Sequence, residues 1–321
     1  MEIEDTKIIL KKGSPPDIKP FVVVGIPAFN EEKAIARIVL QSQNYADKVV
    51  VCDDGSADLT AAIAKRLGAI VIRHKQNRGY GAAIQSLFRV AKKLNTDVLV
   101  TLDGDGQHDP NEISKIVKPI IQGDADIVIG SRFMDDRSTV AMPWYRQTGV
   151  RFITKLTNSQ SKHNSVTDAQ SGFRAYNRKT IEDLVMFEDG MGVSSEILIN
   201  ARKQHLRICE VSSSCEYGNG MKTSKHNPVR HGVDVVTSIV KLLVEDKPLT
   251  MLGLPGTLCL ITGAIFGVWM LQIYAAEHYI VTNIALASVA FILIGFFALS
   301  TAITLYAISR LAKKAANNDS Q

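Results

Sequence analysis

"DVLVTLDGDGQHDP", residues 97–110, runs from a β-branched apolar stretch straight into three carboxylates, Asp103, Asp105 and Asp109, spaced by glycines. The first half is short, Val/Leu-rich and closed by Asp and Gly, so it reads as a strand; the second half reads as the turn at its end. The same pattern repeats on both sides. "FVVVGI" (21–26), "KVVVC" (48–52), "AIVIRH" (69–74) and "ADIVIGS" (125–131) are further strand candidates. Between them, residues 31–42, 57–67, 81–94 and 111–122 carry apolar side chains at helical spacing. Such alternation, with strands apolar on both faces, predicts an α/β fold with a mostly parallel sheet covered by helices on both sides.

Ligands of such sheets bind at the carboxyl ends of the strands. Those ends read "PAFNEE" (27–32), "DDGSAD" (53–58), "HKQNRGYG" (74–81), "DGDGQHDP" (103–110) and "GSRF" (130–133). Past Phe133 the alternation loosens. Residues 142–156 form a helix candidate with Trp, Tyr and Arg, 167–177 a polar loop, 194–204 a capped helix, 206–214 a strand, and 215–228 a Gly/Ser/Lys-rich loop. From Val233 to Val244, Val233, Val236, Val240 and Leu243 recur at helical spacing opposite polar residues. That pattern suits a helix lying on a membrane surface or one that links two units.

The chain has 321 residues and a formal net charge of +5, with 46% hydrophobic residues that are unevenly spread. Leu249–Ala276 and Tyr279–Ser309 are runs of 28 and 31 residues without Asp, Glu, Lys or Arg. Each exceeds the roughly 20 residues that cross a bilayer, which predicts a two-helix transmembrane hairpin with small residues at the helix contact. Lys241 and Lys247 precede it and Arg310, Lys313 and Lys314 follow, so the domain and both termini are expected on the cytoplasmic side. The expected organisation is an arm (1–20), an α/β domain (21–228), a juxtamembrane amphipathic helix (229–247), two membrane helices (248–311) and a tail (312–321). The first 20 residues lack an apolar core segment, so no cleavable signal is expected. The four cysteines form no CxxC pair and read as reduced, structural residues. With much of the basic excess near the hairpin, the expected partner is a lipid bilayer and not nucleic acid, and a homo-oligomer is compatible with the sequence.

Asp103 and Asp105 flank Gly104, where the backbone can bend to aim both carboxylates at one ion. With the amide of Gln107 they offer hard oxygen donors suited to Mg²⁺ or Mn²⁺, which accept their remaining ligands from water and substrate phosphates. An acidic turn without a metal would look the same, and His108 reads as a neighbour. Asp109 and Pro110 suit the start of the next helix. Asp53 ends its strand and could accept hydrogen bonds from a nucleobase or ribose, whereas Ser56 and Asp58 suit helix caps.

Taken together, "VGIPAFNEE", "VVVCDDGSAD", "LDGDGQHDP", "VIGSRF" and "DAQSGFRAY" resemble the family 2 inverting glycosyltransferases, most closely the dolichyl-phosphate mannose synthase branch. The similarity spans about Phe21 to Lys225 and implies a GT-A, Rossmann-like nucleotide-sugar-binding domain. The Q-x-x-R-W motif of processive members is absent from the sequence. By resemblance, Pro27, Phe29, Glu31, Val51, Asp53, Asp103 and Lys225 would bind the nucleotide sugar. Asp103, Asp105 and Gln107 would hold the metal, and Arg132 and Arg146 would meet the phosphate of a dolichyl or other polyprenyl phosphate acceptor, giving Asp105, Arg132 and Arg146 the catalytic roles. The chain departs from the family where Phe29 replaces a common Tyr. It departs again in "NGMKTSK" (219–225), where Asn219 and Lys222 stand for Arg and Gly. GDP-mannose and UDP-hexoses therefore both stay open as donors. Two other readings are transfer to a lipid-linked sugar hydroxyl, with Asp168 as base, and a non-catalytic nucleotide-sugar-binding scaffold at the membrane.

Overall fold

The computed structural model describes residues 19–134, 142–158, 165–215, 235–241, 244 and 247–318. In chain order the elements begin β1 (Val22–Ala28), α1 (Ile35–Ser42), β2 (Lys48–Asp53), α2 (Thr60–Arg66), β3 (Ile70–Arg73) and α3 (Tyr80–Lys93). They continue with β4 (Val98–Thr101), α4 (Ile113–Ile121), β5 (Ile127–Ser131), α5 (Trp144–Asn158), β6 (Arg174–Asn177), α6 (Arg178–Asp183), α7 (Val193–Lys203) and β7 (Ile208–Ser212). The strands make one seven-stranded sheet in the order β3-β2-β1-β4-β6-β5-β7. All neighbours are parallel except β6, which runs antiparallel to both β4 and β5.

Strand alternation explains the unbroken apolar runs. Val22, Val24 and Ile26 enter a core against α1 and α4, while Val23 enters a second core against α3 and α7. Full burial of each such side chain is worth about 1.5–3 kcal/mol, so both faces must be covered. β1 lies between β2 and β4, so the chain leaves β1 toward one half of the sheet and β4 toward the other. The loops after β1 and β4 therefore part at a topological switch point, the place where open α/β sheets bind ligands.

One expectation fails here. The stretch 167–177, expected to be a polar loop, ends in β6, which sits in the middle of the sheet. Its four residues, Arg174–Asn177, are too polar to signal a strand, yet Arg174 is 2% exposed. Its guanidinium donates to the main-chain oxygens of Ser171, Ser194 and Ala169 at 2.9, 2.9 and 2.8 Å. Also, α7 starts at Val193 after Gly192 and has no side-chain cap.

Residues 235–241 are helical, but the expected apolar face is split. Val235 and Ile239 are buried against Ile153, with Val236 and Leu156 packed beside them, while Val240 is exposed. The helix thus spends its apolar side on α5 of the α/β domain; Val233 and Leu243 lie outside the described residues.

Two long apolar helices close the chain. A π-helical turn (Leu249–Gly253) leads into Leu254–Glu277, and His278, in the left-handed conformation (φ 53°), ends it by donating its main-chain N–H to the Tyr274 oxygen. The second helix, Thr282–Asn318, runs past the expected boundary at residue 311. Both helices are long, apolar and mostly exposed, unlike helices in the core of a domain, and are candidate membrane spans. The helices touch through small residues. Gly256 faces Gly295 and Ala298, and Ser288 Oγ donates to the Gly263 oxygen at 2.8 Å. A Cβ on Gly263 would stand 2.7 Å from Ile292 Cγ1 and 2.9 Å from Ile292 N, closer than packed atoms allow. Gly263→Leu is therefore expected to lower the melting temperature of the detergent-solubilised protein by several degrees, while Ala264→Leu on the exposed side leaves it unchanged.

Candidate active site

The loops at the carboxyl ends of β1 to β4 are stitched together by their own polar groups. Asn30 N–H donates to Ser56 Oγ (2.8 Å), Ala57 N–H to Asn30 Oδ1 (2.8 Å) and Glu31 N–H to Thr60 Oγ1 (2.8 Å), joining "PAFNEE" to "DDGSAD". Asp58 Oδ1 accepts from Thr60 N–H at the start of α2, the capping role its spacing suggests. The acidic turn ties to β1 through Gly104 N–H to the Pro27 oxygen at 3.2 Å, and to α1 through Arg37 Nη2 to the Gly106 oxygen at 2.7 Å. Asp109 accepts from Asn111 N–H and Pro110 opens the following 3₁₀ turn, as expected.

Asp103 and Asp105 lie side by side at this switch point. Burial, reinforced by the charge of Asp105, pushes the Asp103 carboxyl up to about 6, against the Tyr80 hydrogen bond and the charges of Arg132 and Arg174. Burial likewise raises Asp105, opposed by the Gln107 N–H and by Arg146 and Arg132. Gln107 is buried beside them, and its N–H donates to Asp105 Oδ1 at 2.9 Å. His108 is driven down to about 4 by burial and by Arg132, so it is a neutral neighbour stacked at 5.4 Å on Phe173. Among the described residues no three His, Cys, Asp or Glu side chains form a closed metal cage. Two mutually repelling carboxylates suit a hard divalent cation that completes its sphere with water and phosphate oxygens, whereas the Gln107 amide oxygen lies 3.9 Å from the Cys215 thiol.

Arg132 has a partner that the sequence did not pair with it. Its Nε and Nη2 donate to Asp168 Oδ2 and Oδ1 at 2.6 and 2.8 Å, and both side chains are buried. Burial alone would raise the Asp168 carboxyl, but the charge and hydrogen bonds of Arg132 outweigh it and hold the group below its ordinary value. Asp168 is thus a weak base. Arg146, on the first turn of α5, is half-buried and near enough to lower Asp105 electrostatically. Asp103, Asp105 and Asp168 therefore face Arg132, Arg146 and Arg174 across one site.

The remaining candidates divide. Phe29 is exposed and Glu31 half-buried on the loop after β1, and Pro27 is buried on the strand itself. Val51 has its side chain in the hydrophobic core, 0% exposed, which leaves its main chain to meet a ligand. Asp53 is also fully covered. Its Oδ1 accepts from Ser56 N–H, and Arg73 Nε lies 3.1 Å from Oδ2 without an aligned hydrogen bond. Lys225 lies outside the described residues. Tyr80, Arg174 and Gly172 were missed. Tyr80 Oη donates to Asp103 Oδ1 at 3.0 Å, and a Cβ on Gly172 would overlap both Asp103 oxygens. The glycine in "SGFR" was the one visible signal.

With the site described, comparison places it. Residues 23–185 match glycosyl transferase family 2, and the chain belongs to that family. It is a glycosyltransferase of the dolichyl-phosphate mannose synthase-like branch. It is 37% identical over 210 residues to a UDP-N-acetylglucosamine--dolichyl-phosphate N-acetylglucosaminyltransferase of Methanococcus voltae, covering 58% of this chain and 82% of the relative. It is 31% identical over 228 residues to a dolichyl-phosphate hexose transferase of Haloferax volcanii, covering 70% and 94%. The fold also matches a crystal structure of glucosyl-3-phosphoglycerate synthase from Mycobacterium tuberculosis, with a TM-score of 0.56, 21% identity and coverage of 70% and 78%.

A raised carboxyl favours the protonated native state, so without divalent cation Asp103 stabilises the fold less as pH rises through about 6. Asp103→Asn is expected to raise the melting temperature of cation-free protein by ~2–4 °C at pH 7.5 and by less at pH 5. Thermal scans in chelator at the two pH values check this.

Proposed function

We propose that the enzyme transfers a hexose from a nucleoside diphosphate sugar to a polyprenyl phosphate such as dolichyl phosphate, with inversion at the anomeric carbon. The observation that carries this reading is the weak base. A sugar hydroxyl must lose its proton as it attacks, and the one carboxylate suggested for that task, Asp168, is occupied by Arg132 and held ionised. A phosphate oxygen is already anionic and needs no base. The names of the relatives, dolichyl-phosphate transferases at 37% and 31% identity, support the same acceptor.

In this mechanism Asp103, Asp105 and Gln107 would hold Mg²⁺ or Mn²⁺, which when bound supplies positive charge to the departing diphosphate. Pro27, Phe29 and Glu31 border the nucleotide. Arg132, oriented by Asp168, and Arg146 hold the attacking phosphate in line, so that catalysis is mostly positioning and charge control. Lys225 is proposed to stand near the donor. The donor proposed is a uridine nucleotide. The name of the Methanococcus voltae relative gives a UDP-sugar donor for that protein; Asp53, at the end of β2, would meet the base through Oδ2, beside which Arg73 Nε lies at 3.1 Å. Arg73 must turn aside for that contact. The domain is proposed to sit on the cytoplasmic face, with both termini, anchored by the apolar hairpin beside the lipid acceptor.

Membranes containing the enzyme are expected to label dolichyl phosphate from UDP-sugars in preference to GDP-mannose, and Asp105→Ala is expected to lower product at least a hundredfold. Label appearing on a lipid-linked sugar instead, or undiminished product from the variant, overturns the assignment. Asp168→Asn separates the two acceptor readings. Loss of Arg132 positioning should raise KM for lipid phosphate about tenfold with kcat little changed, whereas loss of a general base would lower kcat by about 10²–10⁴.

A further inference from the structure

We propose that Tyr80 is a positioning residue for the acidic pair: its hydroxyl fixes the Asp103 carboxylate in the one orientation from which it and Asp105 grip a divalent cation, a role that presupposes the pair as the cation and diphosphate site.

The geometry closes on Asp103 from two sides. Tyr80 Oη donates to Oδ1 at 3.0 Å, and the Gly172 peptide stands so close to both oxygens that no side chain fits at that position. The glycine leaves room for the carboxylate, and turning the carboxylate away from Tyr80 loses the hydrogen bond. A buried metal ligand left unsupported would sample several orientations, and outer partners of this kind ordinarily decide how tightly a ligand set binds. The ring of Tyr80 is itself set among Thr101, Gly172, Arg174 and Tyr176, around a small cavity beside the strand ends.

The start of α3, where Tyr80 sits, is held by a buried network with no other assigned task. Asp54 accepts from Arg78 N–H at 2.9 Å and from Gly79 N–H at 2.8 Å, and its Oδ1 lies 2.6 Å from His74 Nδ1. His74 Nε2 in turn lies 2.9 Å from Ser86 Oγ on α3. From the opposite side, Ala82 N–H donates to the Asp189 oxygen at 3.1 Å, and the main chain at Glu188 and Asp189 presses on Gly81 and Gly79. Gly79 is at φ +102°, a conformation that side chains rarely adopt, so the loop has one path into Tyr80. The second carboxylate of "DDGS" thereby acts on the "DGDG" turn through a tyrosine.

The test uses full-length enzyme in detergent, with Mn²⁺ binding read by electron paramagnetic resonance in the absence of donor, alongside steady-state kinetics. Tyr80→Phe keeps the ring and removes the hydroxyl. Its Mn²⁺ affinity is expected to fall about tenfold and its KM for the nucleotide sugar to rise, with KM for lipid phosphate unchanged. Unaltered Mn²⁺ affinity in this variant overturns the proposal, whatever its melting temperature. Asp105→Ala separates the two levels. If it binds Mn²⁺ as wild type does, the acidic pair is not the cation site; if it loses Mn²⁺ while Tyr80→Phe does not, only the role of Tyr80 falls.

Discussion

Two half-buried carboxylates side by side repel each other. The rest of the site is arranged around that conflict at Asp103 and Asp105. A parallel sheet supplies the position, because the loops after β1 and β4 part at its switch point. Arginines supply counter-charge from three separate elements: Arg132 just past β5, Arg146 from α5 and Arg174 from β6. Arg132 and Arg174 are buried and hydrogen-bonded to Asp168 and to main-chain oxygens, and they act on the pair as fixed charges. The pair stays partly unsatisfied, and that residual strain is what a divalent cation would relieve.

Much of this was legible in the sequence. Period and composition located β1 to β5 and β7, the intervening helices and the apolar hairpin, because each carries an apolar pattern of its own. β6 escaped for the opposite reason. Its four residues include an arginine whose burial depends wholly on carbonyl groups brought in by Ser171, Ser194 and Ala169, a tertiary fact with no local trace. At 235–241 the expected apolar side was split: Val236 packs beside Val235 and Ile239 on α5 while Val240 is exposed, since a short helix carrying many valines has more than one apolar side.

At the site, residue types were legible and pairings were not. "DGDGQ", "GSR" and "PWYR" name oxygen donors and guanidinium groups by chemistry alone. That Arg132 belongs to Asp168, 36 residues later, follows only from the antiparallel insertion of β6, which brings the preceding loop back over the end of β5. At Val51 strand alternation turns the side chain into the core, so a contact with a ligand there falls to the main chain.

The left-handed turn at His278 has a consequence for traffic across the membrane. The two apolar helices are joined by only residues 278–281, so in the proposed seating almost nothing of the chain emerges on the far side. The described chain offers no far-side vestibule, and its helix contact is closed by Gly256, Gly263, Gly295 and Ser288 packing directly on one another. In the proposed seating, a glycolipid made here forms in the leaflet that the domain faces.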